Sequence, residues 1–450
     1  MLTEIYYFKI IEVIKNTSSS KGSFLSILLL VLSGELVYIL PYFLSRVFRP
    51  TFLDVFNLTN LELGSLFSVY GTVALFSYIF GGSLADRFSP GKLIAISLFL
   101  TSLGGPVLAT YPSFIVLKLI FGYWGFTTVF LFWSAMIKGT RIWGGKLNQG
   151  QAFGFLDGGR GAVAALMGTI AVFIYSVSIE SDINMQLNSI VERQHAFKYV
   201  ILFSSFVVAI TGVIVFFFLN IKPDEEQGIN NSAFSFKAIL KVLKLESVWL
   251  LMIIILCAYY GYKVTDIYSL YASDVMKYNE IESANVGSLQ LYLRPIACIL
   301  FGFLADHSKS IIWITIGFII MLFGSILFAS GIIKPNQNMF FFISIIVLAV
   351  GTYAIRALYF AVMQEGKISL TLTGTAVGII SLTGYTPDIF AGPLMGYYLD
   401  RFPGQLGHQY VFIYLVGFSV VGLLCALRFA RIIRWLKPIT YPHKPLTNTP

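Results

Sequence analysis

Nine charged residues fall inside long apolar stretches: Glu35, Lys118, Asp157, Arg160, Lys263, Asp266, Arg294, Arg356 and Asp388. A charge carried into hydrocarbon costs ~2.5 kcal/mol or more, so each marks a site of function or of pairing. Five are cations and four are carboxylates, which predicts one cation without a protein partner. Arginine offers a planar fork that matches a carboxylate, phosphate or sulfonate. An anionic ligand held by Arg294 and Lys263 is one reading. The other is closed ion pairs: Lys263 with Asp266 at helical i, i+3 spacing, and Arg294 with Glu35 or Asp388. Arg356 and Asp388 are further candidate contacts.

Glu35 near the middle of its stretch suggests a second chemistry. A carboxyl withdrawn from water gains affinity for a proton, which would couple proton movement to another event. Asp266 is a second candidate for that role. The alternative makes Glu35 a charge partner or a ligand for a hydroxyl. Asp157 and Arg160 share a helix face and are expected at a gate or in a structural pair. Tyr38, Tyr259 and Tyr262 add rings and hydroxyls, and the run Tyr259-Tyr260-Gly261-Tyr262 stands beside Lys263. Tyr123, Trp124, Trp133, Tyr260, Tyr353 and Tyr385 also lie in apolar stretches. Packing alone is the competing reading for each taken singly.

Several chemistries are disfavoured. The four histidines and three cysteines (Cys257, Cys298, Cys425) show no metal-ligand spacing, and no metal or other cofactor is expected. The run from Gln149 to Gly161 is glycine-rich but lacks the Lys-Ser/Thr ending of a phosphate loop. No nucleophile elbow or catalytic carboxylate pair stands at a plausible membrane edge, so an enzyme is not expected.

The elements that hold these residues follow from composition. The 450-residue chain is 57% hydrophobic and 12% charged, against roughly 25% charged in a soluble domain. Its mean hydropathy is +0.79. A span needs ~20 apolar residues, and twelve are expected at 24–46, 61–84, 91–110, 113–137, 151–176, 198–220, 246–268, 283–305, 310–332, 338–362, 372–397 and 409–431. Residues 1–23 lack a cleavage site, which makes the first span an uncleaved anchor. With both termini inside, nineteen of the 31 Lys and Arg lie in cytoplasmic segments and seven in external loops, Arg46 and Arg49 among the latter. That bias predicts cytoplasmic termini, and the net charge of +9 reads as topology rather than nucleic-acid binding. Thr59 and Glu62 have capping-box spacing at the start of the second span. Residues 221–245 divide the chain into halves at 1–220 and 246–450. Within this linker Lys237, Lys241 and Lys244 lie opposite Ile239, Leu240 and Leu243, as in a membrane-surface helix.

An internal repeat supports the division. Gly82, Leu84, Ala85 and Asp86 after the second span recur as Gly302, Leu304, Ala305 and Asp306 after the eighth. Such repeats mark duplicated bundles related by an axis along the membrane normal. The run Gly82-Ser-Leu84-Ala85-Asp86-Arg87 resembles the signature of the major facilitator superfamily; the second copy has His307 where a basic residue is usual. The resemblance covers nearly the whole chain. It implies an all-α membrane protein of twelve transmembrane helices in two pseudo-symmetric six-helix bundles. It further implies a monomeric secondary carrier working by alternating access, with spans one, four, seven and ten lining the cavity. On that resemblance Asp86, Arg87 and Asp306 are gating residues.

Gly374 to Tyr385, Gly396 to Asp400, Pro41-Tyr42 and the turn Asp86 to Pro90 are similar to the organophosphate:phosphate antiporters and their uncharacterised bacterial relatives. Those antiporters hold phosphate with arginines in spans one and seven, where this chain has Ser33 and Tyr259. That departure argues against the same phosphate clamp, and the resemblance to the broader bacterial relatives implies a small organic anion as solute: a sugar acid, a sulfonate or a phosphorylated metabolite. The resemblance implies a proton or counter-anion as the expected drive and the bacterial inner membrane as the expected location. A proton-coupled carrier of a neutral or cationic solute, or a non-transporting sensor on the same scaffold, is the alternative.

Overall fold

The computed structural model describes residues 24–144, 149–179, 190–219, 236–306, 308–359, 361–366, 368 and 373–435. Twelve helical spans emerge among them. They are α1 (Phe24–Val47), α2 (Asn60–Arg87), α3 (Pro90–Leu108), α4 (Phe114–Gly144), α5 (Gln149–Ser178) and α6 (Ile190–Phe218) in the first half. The second half has α7 (Glu246–Asp274), α8 (Glu280–Ala305), α9 (Ser310–Ala329) and α10 (Asn338–Leu358). It ends with α11, in two segments Thr373–Gly384 and Pro387–Arg401, and α12 (Gln405–Trp435). Each expected span is present. The clearest differences are ends: α6 starts at Ile190, and α7 runs on to Asp274. The helix Phe236–Leu243 lies in the expected linker, whose residues 221–235 are outside the described ones. The side chains of Asp86, Arg87 and Asp306, expected at the gates, are outside them too.

Local chemistry sets the boundaries. Thr59 caps α2: its side chain accepts from Glu62 N, and the Glu62 carboxylate accepts from Thr59 N at 2.9 Å. Pro41 has no N–H to give, and α1 widens into a π-turn over Ile39–Phe43. Arg46, in the last turn of α1, is buried against Asp266 and Tyr262 of α7 and not in an outer loop.

The two halves repeat one packing scheme. In the first, α1 packs on α5, α2 on α4, and α3 on α6; in the second, α7 on α11, α8 on α10, and α9 on α12. The halves meet along α2–α11 and α5–α8. An even number of spans puts the starts of α1 and the end of α12 on one face, here called the tail face. The opposite face is the loop face.

Glycines measure how the halves separate from one face to the other. A Cβ on Gly168 of α5 would lie 2.7 Å from Ser288 of α8, and one on Gly161 would lie 2.9 Å from Pro295. One on Gly158 would reach Ile299 only at 4.0 Å, and on Gly154 or Gly302 it would meet nothing. Along α2–α11 a Cβ on Gly64 would fall 2.4 Å from the Gly392 backbone. The halves are thus pressed together at the loop face and diverge toward the tail face.

Candidate substrate site

The buried charges gather where the halves begin to diverge, in two clusters. The first joins α1, α5 and α8. Glu35 Oε2 lies 3.2 Å from Arg160 Nε and 3.3 Å from Arg294 Nη1. Asp157 Oδ1 lies 3.4 Å from Arg160 Nη1 and 3.2 Å from Arg294 Nη2. Two carboxylates and two guanidiniums thereby form a closed, neutral ring across the two halves. Small residues make the room: a Cβ on Gly34 would press on Arg160 Cδ at 3.0 Å, and one on Gly161 on Arg294 Cγ at 3.0 Å.

The second cluster sits nearer the loop face, on α1, α7 and α11. Arg46 Nε donates to Asp266 Oδ1 at 2.5 Å, and its Nη1 donates to the Tyr262 hydroxyl at 2.8 Å. Lys263 Nζ lies 3.1 Å from Asp266 and 3.5 Å from Asp388. Tyr259 donates its hydroxyl to both Asp388 oxygens, at 3.0 and 3.1 Å. The Lys263 ammonium also lies 4.1 Å from the Tyr42 ring centre. Two cations and two carboxylates again balance.

Arg356 of α10 stands between the clusters and belongs to neither. Its guanidinium lies 3.8 Å above the Tyr262 ring. Its Nε and Nη1 are buried with no hydrogen-bond partner, and no carboxylate among the described residues pairs with it. Arg46 and Arg49 join the buried set, and two of its guanidiniums lack a carboxylate: Arg356, and Arg49, which donates to the Asn60 amide oxygen at 3.2 and 3.0 Å. Lys118, the fifth cation of the sequence tally, sits near the loop-face end of α4 with its ammonium 4.4 Å from the Phe114 ring centre.

Aromatic side chains close the space beside Arg356. Tyr78 of α2 stacks on Tyr385 of α11 at 6.0 Å, and Trp133 of α4 meets Tyr385 edge-on at 5.9 Å. Tyr259 meets Tyr385 at 4.8 Å, and the Tyr359 and Tyr385 hydroxyls are 3.2 Å apart. These rings come from both halves, yet Tyr78, Trp133, Tyr259 and Arg356 keep part of their surface exposed, as do Tyr38 and Asp157. Tyr78 and Trp133 reach Tyr385, and Asp157 reaches Arg294, across the halves, and with the partly exposed Tyr38, Tyr259 and Arg356 they mark the candidate position for a solute. That position can hold an anionic group on a guanidinium and a planar or sugar-like face on tyrosines.

Glu35, Tyr38, Asp157, Arg160, Tyr259, Tyr262, Lys263, Asp266, Arg294, Arg356, Tyr385 and Asp388 therefore converge. Tyr123, Trp124 and Tyr260 do not: Trp124 donates to the Thr101 carbonyl at 3.0 Å, and Tyr260 stacks on Phe418 at 4.1 Å. Tyr353 donates to Gln290 at 2.7 Å behind the site. Arg46, Tyr42, Tyr78 and Tyr359 were missed on sequence. Arg46 was counted to a loop, and a lone tyrosine in an apolar helix carries no signal of its direction. Among the described residues no group of three His, Cys, Asp or Glu is placed to hold a metal ion.

Similarity to known proteins agrees with this architecture. The family model described as Major Facilitator Superfamily matches residues 31–367. The chain is 24% identical over 417 residues to the inner membrane protein YqcE of Escherichia coli, covering 91% of this chain and 95% of that one. It is 26% identical over 431 residues to the inner membrane protein YihN of the same organism, covering 90% and 94%. Among solved structures, an inward-facing, unoccupied bacterial homolog of the human lysosomal transporter Spinster superposes with a TM-score of 0.69 at 16% identity, covering 92% and 99%. The nucleoside transporter NupG gives 0.65 at 16% identity, covering 91% and 100%. With the repeated packing of its halves and a family match over most of its length, this chain belongs to the major facilitator superfamily of membrane transporters.

Proposed function

We propose that this protein is a secondary carrier of a small organic anion in the inner membrane, and that Arg356 binds the anionic group. The observation that carries the reading is the unpaired guanidinium over Tyr262, between two clusters that are each neutral. A cation held away from water without a counter-ion is unfavourable, and a solute carboxylate or sulfonate supplies the missing charge. The candidate contacts Arg294 and Lys263 already have carboxylate partners, which leaves them as second contacts reached by exchange of those partners. Tyr38, Tyr259 and Tyr385 offer rings and hydroxyls to the rest of a sugar-acid or sulfonate skeleton.

In this reading the tail face is cytoplasmic, as the distribution of Lys and Arg favours, and the wedge between the halves opens inward. The bundles 1–220 and 246–450 rock about the site as a monomer, linked by 221–245. The outer seal is the α2–α11 contact with the Arg46–Asp266 pair; Asp157 and Arg160 belong to the gate below. No nucleotide loop is evident in the sequence, so drive comes from a gradient of ions or counter-solute.

The test is thermal unfolding of purified protein with sugar acids, sulfonates, sugar phosphates, amino acids and neutral sugars. Stabilisation by one anion class in the wild type, lost in Arg356→Gln, supports the reading. Stabilisation by neutral or cationic compounds alone, equal in Arg356→Gln, overturns it.

A further inference from the structure

The charges around the site balance except at one residue. Glu35 and Asp157 match Arg160 and Arg294, and Asp266 and Asp388 match Arg46 and Lys263. Arg49, which also lacks a carboxylate, begins the short helix that follows α1 at the loop face, and Asn60 links it there to Asp400. Arg356 is thus the one unmatched charge among the described residues of the site. Arg294 acts on it electrostatically, as do Tyr262, Tyr359, Tyr385 and Asp157. Of these, Arg294 is already matched, the tyrosines supply rings and hydroxyls, and Asp157 is negative. Asp157 is also the most exposed of the four carboxylates, with 31% of its side chain free.

Resting on the assignment of Arg356 as the anion contact, we propose that the solute carries a single negative charge, as a carboxylate, sulfonate or sulfate ester does, and that a phosphate monoester is refused as the dianion. One charge on the solute makes the loaded site neutral. A second would have no counter-ion. Drawing Arg294 or Lys263 onto the solute supplies a hydrogen bond but no net charge, because the carboxylate left behind is then unmatched in a buried setting. Asp157, beside the same position, repels the additional charge, and in a site withdrawn from water that repulsion is little screened. Size and shape do not make the distinction, since sulfate and phosphate esters are both tetrahedral with three terminal oxygens. Net charge is the selecting property.

The experiment compares glucose 6-sulfate with glucose 6-phosphate, and methyl sulfate with methyl phosphate in case the sugar skeleton is refused. Each sulfate keeps one charge throughout, whereas each phosphate passes from one charge to two with a pKa of about 6. Binding to the purified protein is read from the unfolding midpoint against ligand concentration, at about pH 5 and about pH 8. The sulfate esters should bind at both and so report any change in the protein itself. Relative to them, the apparent dissociation constant of the phosphate esters should rise about a hundredfold at the higher pH, as the singly charged fraction falls from about nine-tenths to about one-hundredth. Asp157→Asn takes one negative charge from the site and should reduce that loss to about tenfold or less while the sulfate esters still bind. Phosphate esters that bind equally at both pH values, or an Asp157→Asn protein that refuses the dianion as the wild type does, overturn the single-charge limit and leave the anion carrier standing. No response to either sulfate ester overturns the limit together with the Arg356 assignment. Should Asp157→Asn fail to fold, the comparison in the wild type decides alone.

Discussion

Replacing Arg356 by methionine should stabilise the empty protein and cut its response to an anion to less than about half. The guanidinium has no counter-ion, and two of its nitrogens are buried without partners. An ion held out of water costs several kcal/mol after relaxation. Partial exposure of Arg356 reduces that cost, and the 3.8 Å contact with Tyr262 returns about 1–2 kcal/mol. Methionine keeps most of the length and none of the charge, so a net gain of about 1–2 kcal/mol is expected. In a protein of this size that is a rise of a few degrees in the unfolding midpoint. A solute at ~100 times its dissociation constant stabilises the wild type by ~2.7 kcal/mol. Loss of a charged hydrogen bond costs ~1.5–3 kcal/mol of affinity, so the same concentration stabilises the variant by less than about 1.3 kcal/mol. Differential scanning fluorimetry with and without solute reads both effects. A variant that melts lower when empty and still responds fully to the anion would refute the reasoning, for Arg356 would then have a partner inside the protein.

Three further perturbations probe the frame around the site. Glu35→Gln leaves Arg160 and Arg294 with Asp157 alone and should destabilise by about 2–4 kcal/mol, with much of the loss recovered in Glu35→Gln/Arg160→Met. A double variant no more stable than the single one would show that the ring is not a unit. Gly64→Val drives side-chain atoms into the Gly392 backbone, where even a Cβ would lie at 2.4 Å. The closed loop face should be lost, and a cysteine at Ser269, buried against the Arg46 carbonyl of the opposite half, should react faster with a polar thiol reagent; an unchanged rate argues that α2 and α11 yield locally. Asp400→Ala removes the carboxylate that accepts from Asn60 N at 2.9 Å and Leu61 N at 2.7 Å. This cap on α2 comes from the opposite half, so its ~1–2 kcal/mol should be lost from the closed state rather than from the helix. The same labelling assay, with helicity followed by circular dichroism, separates the two.

Sequence determined the frame because hydrocarbon permits few alternatives. Every backbone polar group in a bilayer must be satisfied within its own segment, so apolar length translates directly into helices, and the spans fall close to their expected positions. The repeat from Gly82 to Asp86 and from Gly302 to Asp306 made the twofold architecture legible in the same way. The capping box at Thr59 and Glu62 was equally local. The nine interior charges were also apparent, since each is anomalous against an apolar background. Their partners were not. Lys263 and Asp266 are neighbours on one helix, so that pair was among the readings, but Asp266 with Arg46 joins residues from opposite halves. Arg46 stands at the last position of the expected first span, where sequence alone leaves it with the outer loop. The isolation of Arg356 is a property of the assembled bundle as well: a surplus cation can be counted in a sequence, but which one is left over depends on which carboxylates the others reach. The same holds for the direction of the wedge. Glycines in α2, α5, α8 and α11 are equally small in the sequence, and only helix packing decides that Gly64 is pressed against a backbone while Gly154 and Gly302 face open space.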